Sequence, residues 1–266
     1  MQNRVTLPQW LDDLIFKELK AQYCPRYSDM TNIDDDKEKT LNYLGTYFPR
    51  SYAESYCIFS EYFKSNHSVF ADREKLSILD FGCGTGGEVF GLLTALNELR
   101  PNLKTVTVKV FDGNQNALRL FEKLFVKFKK HIDFQIEKQP TPFHIDDFYD
   151  LSILDNIITN TYDVVTSFKA ICEFVTKDQF ERKNAYEHIT KFLLPKLVDD
   201  GLMLLVDVTT YNDTSQEWLP NMMDKGLKES ICKIVAKNNG YNQTYTITHS
   251  QKSNDISKVA WRLIKK

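Results

Sequence analysis

A doubly wound α/β fold, closed by an antiparallel hairpin and preceded by a helical cap, is the class this sequence predicts. Three observations carry that prediction. The stretch Leu79-Asp80-Phe81-Gly82-Cys83-Gly84-Thr85-Gly86-Gly87 is a glycine-rich turn between a short apolar run and an apolar helical pattern. From residue 77 onward, strand-like apolar runs alternate with helical ones, the rhythm of a parallel sheet with crossover helices. The tail then carries two β-rich runs around a polar turn, where a dehydrogenase-type sheet would add another parallel strand.

Residues 1–75 read as a helical, aromatic-rich cap and 76–266 as the sheet domain. Pro8 precedes a helix whose Leu11, Leu14, Ile15 and Leu19 keep helical spacing. The polar stretch 31–39, with Asp34-Asp35-Asp36, marks an exposed connection. A second helix carries Leu41, Tyr43, Leu44, Tyr47 and Phe48, and Pro49 is expected to break or kink it. A further helical pattern runs through Tyr52, Tyr56, Phe59, Tyr62 and Phe63. Strands are predicted at 77–81, 105–112, 132–136, 163–168 and 201–208, with helices at 88–99, 115–130, 151–159 and 177–194. Pro195 and Asp199-Asp200-Gly201 turn the chain into the fifth strand. In the tail, a helix at 222–237 precedes strands at 245–249 and 258–264, which Lys252-Ser253-Asn254-Asp255 separates into a hairpin.

With 266 residues the chain can bury a large core, and 42% hydrophobic with 26% charged residues is ordinary for a globular protein. A net charge of −2 excludes a globally basic nucleic-acid binder. Cys24, Cys57, Cys83, Cys172 and Cys232 are scattered and contain no C-x-x-C pair. That argues for a reducing compartment and against a disulfide framework or a zinc site, so no metal is expected. No apolar run reaches the ~20 residues that span a bilayer. The opening residues also lack the apolar core of a signal peptide. A cytoplasmic protein without a membrane partner is expected.

Glycines at alternate positions allow a sharp turn and close backbone approach to a ligand. The helix starting near Gly87 would aim its first N–H groups at an anionic group, and Asp80 can accept from a cationic one. Asp112 ends an apolar strand 26 residues after Gly86. A carboxylate at that position of a nucleotide-binding sheet accepts from the two ribose hydroxyls. The rival reading makes Asp112 the N-cap of the following helix. Gly113 and Asn114 would flank the nucleoside.

This glycine turn, the acid ending the second strand and the terminal hairpin together resemble the class I S-adenosylmethionine-dependent methyltransferases. The motif at residues 79–87 is close to that family's L-D-x-G-C-G-T-G form. The resemblance covers most of residues 76–266. It implies a Rossmann-like seven-stranded sheet with S-adenosyl-L-methionine across the carboxyl ends of the central strands. Asp80, Gly82, Cys83, Gly84 and Gly86 would cradle its methionine part, and Asp112 with Gly113 its ribose. An acid of the step Asp146-Asp147 would take the adenine amino group, Asp147 being preferred, with Phe148 against the ring. Ser167, on the fourth strand, would face the donor. A fainter resemblance joins residues 43–54, Cys172-Glu173-Phe174 and Val206-Asp207-Val208-Thr209 to the mitochondrial small-ribosomal-subunit methyltransferase-like family.

At the end of the fourth strand stands Ser167-Phe168-Lys169-Ala170, where enzymes that methylate base or amide nitrogens carry Asn/Asp-Pro-Pro-Tyr/Phe. That departure counts against those chemistries. Glu173 is the candidate base, with a surface or salt-bridge role as its rival, and Cys172 reads as a buried small residue. The cap aromatics Tyr43, Tyr47, Tyr52, Tyr56, Phe59 and Tyr62 read mostly as core packing against the sheet domain, with some as candidate acceptor walls. A loop with Asp207, Thr209, Thr210, Tyr211 and Trp218 is another candidate wall. Arg50 is a candidate for contact with an anionic group. Lys123, Lys127, Lys129 and Lys130 read as a solvated helix face. A small-molecule acceptor is expected. The alternatives are RNA methylation or a non-catalytic, donor-binding module of the ribosome-assembly type.

Overall fold

The computed structural model describes residues 3–25, 36–174, 184–212, 217–230, 232–241 and 243–266. In chain order, β1 (Arg4–Thr6) leads to α1 (Gln9–Asp12), which widens into a π-helical turn at Asp13–Glu18. There follow α2 (Lys37–Ser65), β2 (Lys75–Phe81), α3 (Gly87–Leu99), β3 (Thr105–Asp112), α4 (Gln115–Phe128) and β4 (Gln135–Pro142). Next come α5 (Ser152–Ile157), β5 (Tyr162–Phe168), α6 (Ile171–Phe174), α7 (Ala185–Leu193) and β6 (Leu197–Val208). The last elements are β7 (Tyr211–Asn212), β8 (Glu217–Trp218), α8 (Leu219–Glu229), β9 (Lys233–Asn238), β10 (Tyr245–His249), β11 (Lys252–Ser257) and β12 (Val259–Lys265).

Seven strands form one mixed sheet in the order β4-β3-β2-β5-β6-β12-β9, the Rossmann-like α/β architecture expected. Strand β5 pairs in parallel with β2 and β6, and β3 with β4, whereas β12 runs antiparallel to both β6 and β9. Every residue of β5 is buried, as befits a central parallel strand with both faces covered. The chain groups into two compact units, one of Met1–Leu76, Cys83–Phe143 and Thr244–Ser257, the other of Ser77–Gly82, His144–Gln243 and Lys258–Lys266.

Several elements differ from the sequence reading. The closing antiparallel pair exists, but β9 and β12 form it. The run 245–249 is instead β10 of a separate three-stranded sheet, parallel to β1 and antiparallel to β11. Burial pattern explains the division. In β12 Val259, Ala260, Trp261, Leu263 and Ile264 are buried on both faces, whereas β10 buries only Tyr245, Ile247 and His249. Strand β9 also cuts short the tail helix expected to reach residue 237. The third strand begins at Gln135 rather than residue 132 and runs through Pro140 and Pro142. It is an edge strand, where a missing N–H is tolerated. Of the helix expected at 177–194, α7 is the C-terminal part, and 177–183 lie outside the described residues.

The cap is not wholly helical, because β1 contributes a strand. Pro49 does not divide its long helix, and α2 runs unbroken for 29 residues. Packing outweighs the lost hydrogen bond there, for the α2 face bearing Phe48, Tyr52, Ser55 and Phe59 is buried. Gly91 of α3 lets the two helices approach: a Cβ there would lie 2.9 Å from the Tyr56 nitrogen and 3.0 Å from the Ser55 Cβ. Ser55 Oγ donates to the Glu88 carbonyl at 2.7 Å across the same contact. Phe90, from α3, meets Phe48, Phe121, Phe125 and Phe128 in an aromatic core. Among the described residues no helix is long and apolar enough to cross a membrane.

Candidate functional site

The turn after β2 has the backbone its glycines anticipated. Gly82, Gly84 and Gly86 all adopt left-handed conformations, with φ of 76°, 50° and 84°. The Gly86 N–H donates to the Cys83 carbonyl at 2.7 Å, closing the turn, and the Cys83 N–H donates to the Phe111 carbonyl at 2.9 Å, tying it to β3. Gly86 is the N-cap of α3 and offers no capping side chain, whereas Asp36, Asn114 and Asn184 cap α2, α4 and α7. The first N–H groups of α3 therefore receive no acceptor from the side chain of its N-cap residue. Over the turn lies Tyr43 of α2, whose hydroxyl and ring stand 3.1 Å from where a Gly84 Cβ would be.

Asp112 closes β3 against this turn. Its Oδ2 accepts the Gly84 N–H at 2.6 Å and its Oδ1 accepts the Asn114 N–H at 2.8 Å. The N-cap of α4 is Asn114, whose Oδ1 accepts from the Ala117 N–H at 3.0 Å, so Asp112 does not cap that helix. Burial pushes the Asp112 pKa up, against the lowering by its two backbone donors. An ionised carboxylate offers about four acceptor positions, and two are used here. Gly113, beside it, is exposed. Asn114 Nδ2 reaches back to the buried Thr40 Oγ1 of α2 at 3.4 Å.

In the second unit Asp80 is fully buried on β2, and its Oδ1 accepts from Thr166 Oγ1 of β5 at 2.6 Å. Ser167, the next residue, is 1% exposed, and its Oγ has no hydrogen-bond partner among the described residues. Asp146 and Asp147 are both exposed, and Asp147 Oδ1 accepts the Tyr149 N–H at 2.9 Å in a local turn. Phe148 is buried and meets the rings of Tyr149 and His188 edge-on or tilted. Glu173 falls on α6, and its side chain lies outside the described residues. Asp207, at the end of β6, is fully buried and accepts from Tyr186 Oη at 2.9 Å and from the Val208 N–H at 2.8 Å. Burial raises its pKa, against hydrogen bonds from Cys172, Val208 and Tyr186. Tyr211 and Trp218 of the β7–β8 ribbon are half-exposed and in T-shaped contact.

Arg50 is engaged within the protein. It makes a two-pronged ion pair with buried Asp255 of β11, Nε to Oδ2 at 2.8 Å and a terminal nitrogen to Oδ1 at 2.7 Å, joined by Tyr23 Oη at 2.9 Å. The partner was invisible to sequence reading because it lies 205 residues away. Thr166 was missed as well. Its signal was the alternation of β5, which aims Thr166 and Ser167 to opposite faces.

No protein-family model matches the chain, and no curated protein is similar to it in sequence. Solved structures are similar in shape. An O-methyltransferase family protein from Burkholderia thailandensis superposes with a TM-score of 0.51 at 13% identity, over 97% of this chain and 69% of that one. The chain shares the fold of that structure. A magnesium protoporphyrin IX methyltransferase from Synechocystis PCC 6803, solved with bound SAH, gives a TM-score of 0.49 at 10% identity, over 95% and 93% of the two chains. A putative SAM-dependent methyltransferase from Streptococcus mutans gives 0.47 at 14% identity, over 76% of this chain. The chain spans about half the length of that structure, 48%. At these identities the methyltransferase likeness is one of fold.

Proposed function

We propose that the protein is an S-adenosylmethionine-dependent methyltransferase acting on a small-molecule acceptor. The observation that carries this reading is Asp112, which is braced by the Gly84 N–H and still has acceptor capacity beside the left-handed glycine turn. In this reading Asp112 takes the two ribose hydroxyls of the donor, and Gly113 and Asn114 flank the nucleoside. The uncapped N-terminus of α3 faces the donor's carboxylate, and Gly82, Cys83, Gly84 and Gly86 leave room for its methionine chain. Asp80, oriented by Thr166, receives the ammonium group, and Ser167 supplies a further hydroxyl to the donor. Asp147 with Phe148 serves the adenine end.

The donor, when bound, supplies a methyl group on a sulfonium, which an in-line displacement by the acceptor removes. The protein's part is then positioning and exclusion of water, which can supply much of the catalysis without a dedicated base. Glu173 is the candidate for proton removal where the acceptor needs it. The near-neutral charge and the half-exposed aromatics favour an uncharged or aromatic small molecule over structured RNA.

Titration calorimetry of the full chain with S-adenosylmethionine and with NAD tests the donor. Saturable binding of the former alone is expected, and selective binding of NAD would overturn the reading. Release of S-adenosylhomocysteine is then followed with metabolite pools and with total RNA. Turnover with RNA alone would replace the acceptor, and no turnover with either would leave a donor-binding module.

A further inference from the structure

One cleft in the first unit has no part in the donor reading. It lies between the start of α2 and the middle of α4, holds about 330 Å³, and is lined by Lys37, Arg119 and Lys123 with Thr40 and Asn116. Leu19, Leu41 and Leu120 form its apolar wall, and among the described residues no carboxylate lines it. All three cations are exposed, and none has an ion-pair partner among the described residues. Three described acids of these elements are engaged elsewhere: Glu18 pairs with Lys127, Glu122 with Lys138, and Asp36 caps α2 through the Glu38 and Lys39 N–H groups.

This arrangement costs the free protein stability. Lys37 stands in the first turn of α2, where a cation opposes the helix dipole. Arg119 and Lys123 are four residues apart on one helix face, where like charges repel. Charge held at a cost, around a cleft of small-ligand size, is what an anion-binding site requires. Arg119 adds a planar fork suited to phosphate oxygens, held by its contact with Asn116 Oδ1 at 3.3 Å.

We propose that the Lys37–Arg119–Lys123 cleft binds the phosphate or pyrophosphate end of a small phosphorylated molecule whose apolar part rests on the leucine wall. Three cations match a pyrophosphate's charge. The cleft is too small, and the chain as a whole too acidic, for tracking a nucleic-acid backbone. Its wall continues to the turn after β3 through the hydrogen bond between Thr40 and Asn114. The site itself does not depend on the donor reading.

The test uses the full chain, with inorganic pyrophosphate as probe in titration calorimetry and decauridylate RNA as a second probe. Saturable one-to-one binding of pyrophosphate is expected, weakening as salt rises. The double variant R119Q/K123Q should lose at least about tenfold in affinity. K129Q/K130Q removes the same charge outside the cleft and should stay within about twofold. Circular dichroism confirms that both variants fold. No saturable pyrophosphate binding, or equal losses in the two variants, would overturn the proposal. Tighter binding of decauridylate than of pyrophosphate, lost in R119Q/K123Q, would overturn the small-ligand source and assign the cleft to RNA phosphates.

Discussion

Asp112 and Asp255 are carboxylates withdrawn from water within the same compact unit, and burial pushes the pKa of both upward. At Asp255, His249, the Arg50 guanidinium and Tyr23 overcome burial and hold the pKa at about 2. At Asp112 two backbone N–H groups oppose it, no cation among the described residues joins them, and the pKa stays raised. The first is a finished internal bond that ties α2 to β11. The second is an acceptor half supplied, at the mouth of a left-handed glycine turn. A buried carboxylate's partners, more than its depth, separate a brace from a binding group.

The largest effect should come from breaking the brace. Arg50→Ala leaves buried Asp255 without its guanidinium partner, and should cost about 3–5 kcal/mol in chemical denaturation. A loss below about 1 kcal/mol would place the pair among surface ion pairs. Asp112→Ala should lower S-adenosylmethionine affinity about 10–100-fold by calorimetry, from lost charge-assisted hydrogen bonds. Unchanged affinity would remove Asp112 from the site.

Acid should separate the two carboxylates further. The folded pKa of Asp255 lies below its ordinary 3.8, so its stabilisation is complete above about pH 4 and is lost as pH falls toward 2. That limb amounts to about 2 kcal/mol in stability measured against pH, and Arg50→Ala should flatten it. Asp112 has the opposite sign. With its pKa raised, ionisation opposes folding as pH rises through that value. The smallest effect is expected at Asp207, whose donors are already in place. Tyr186→Phe should cost about 1–2 kcal/mol of stability while leaving donor affinity within twofold. A larger loss of affinity would make Asp207 part of the site.

Much of the first half of the candidate site was legible because its signals are local. Left-handed φ at Gly82, Gly84 and Gly86 follows from residue type, and Asp112 stands where a strand run ends. Pairing was not legible. The run at 245–249 reads as a strand from its alternation, yet nothing local tells it to join Val5 instead of residue 261. Pro49 reads as a helix end because its missing N–H is local, whereas the burial that carries α2 past it is supplied by α3. Arg50 looked available for an anion because Asp255 is far away in sequence.

The sequence alone determined the α/β class, the glycine turn and the acid that follows it, since backbone freedom and hydrophobic period belong to neighbouring residues. Tertiary structure decided which carboxylate remained open, which strands closed the sheet and where three lysine and arginine side chains gather without an acid partner among the described residues. Those are properties of groups brought together from distant parts of the chain, where burial and charge act through space.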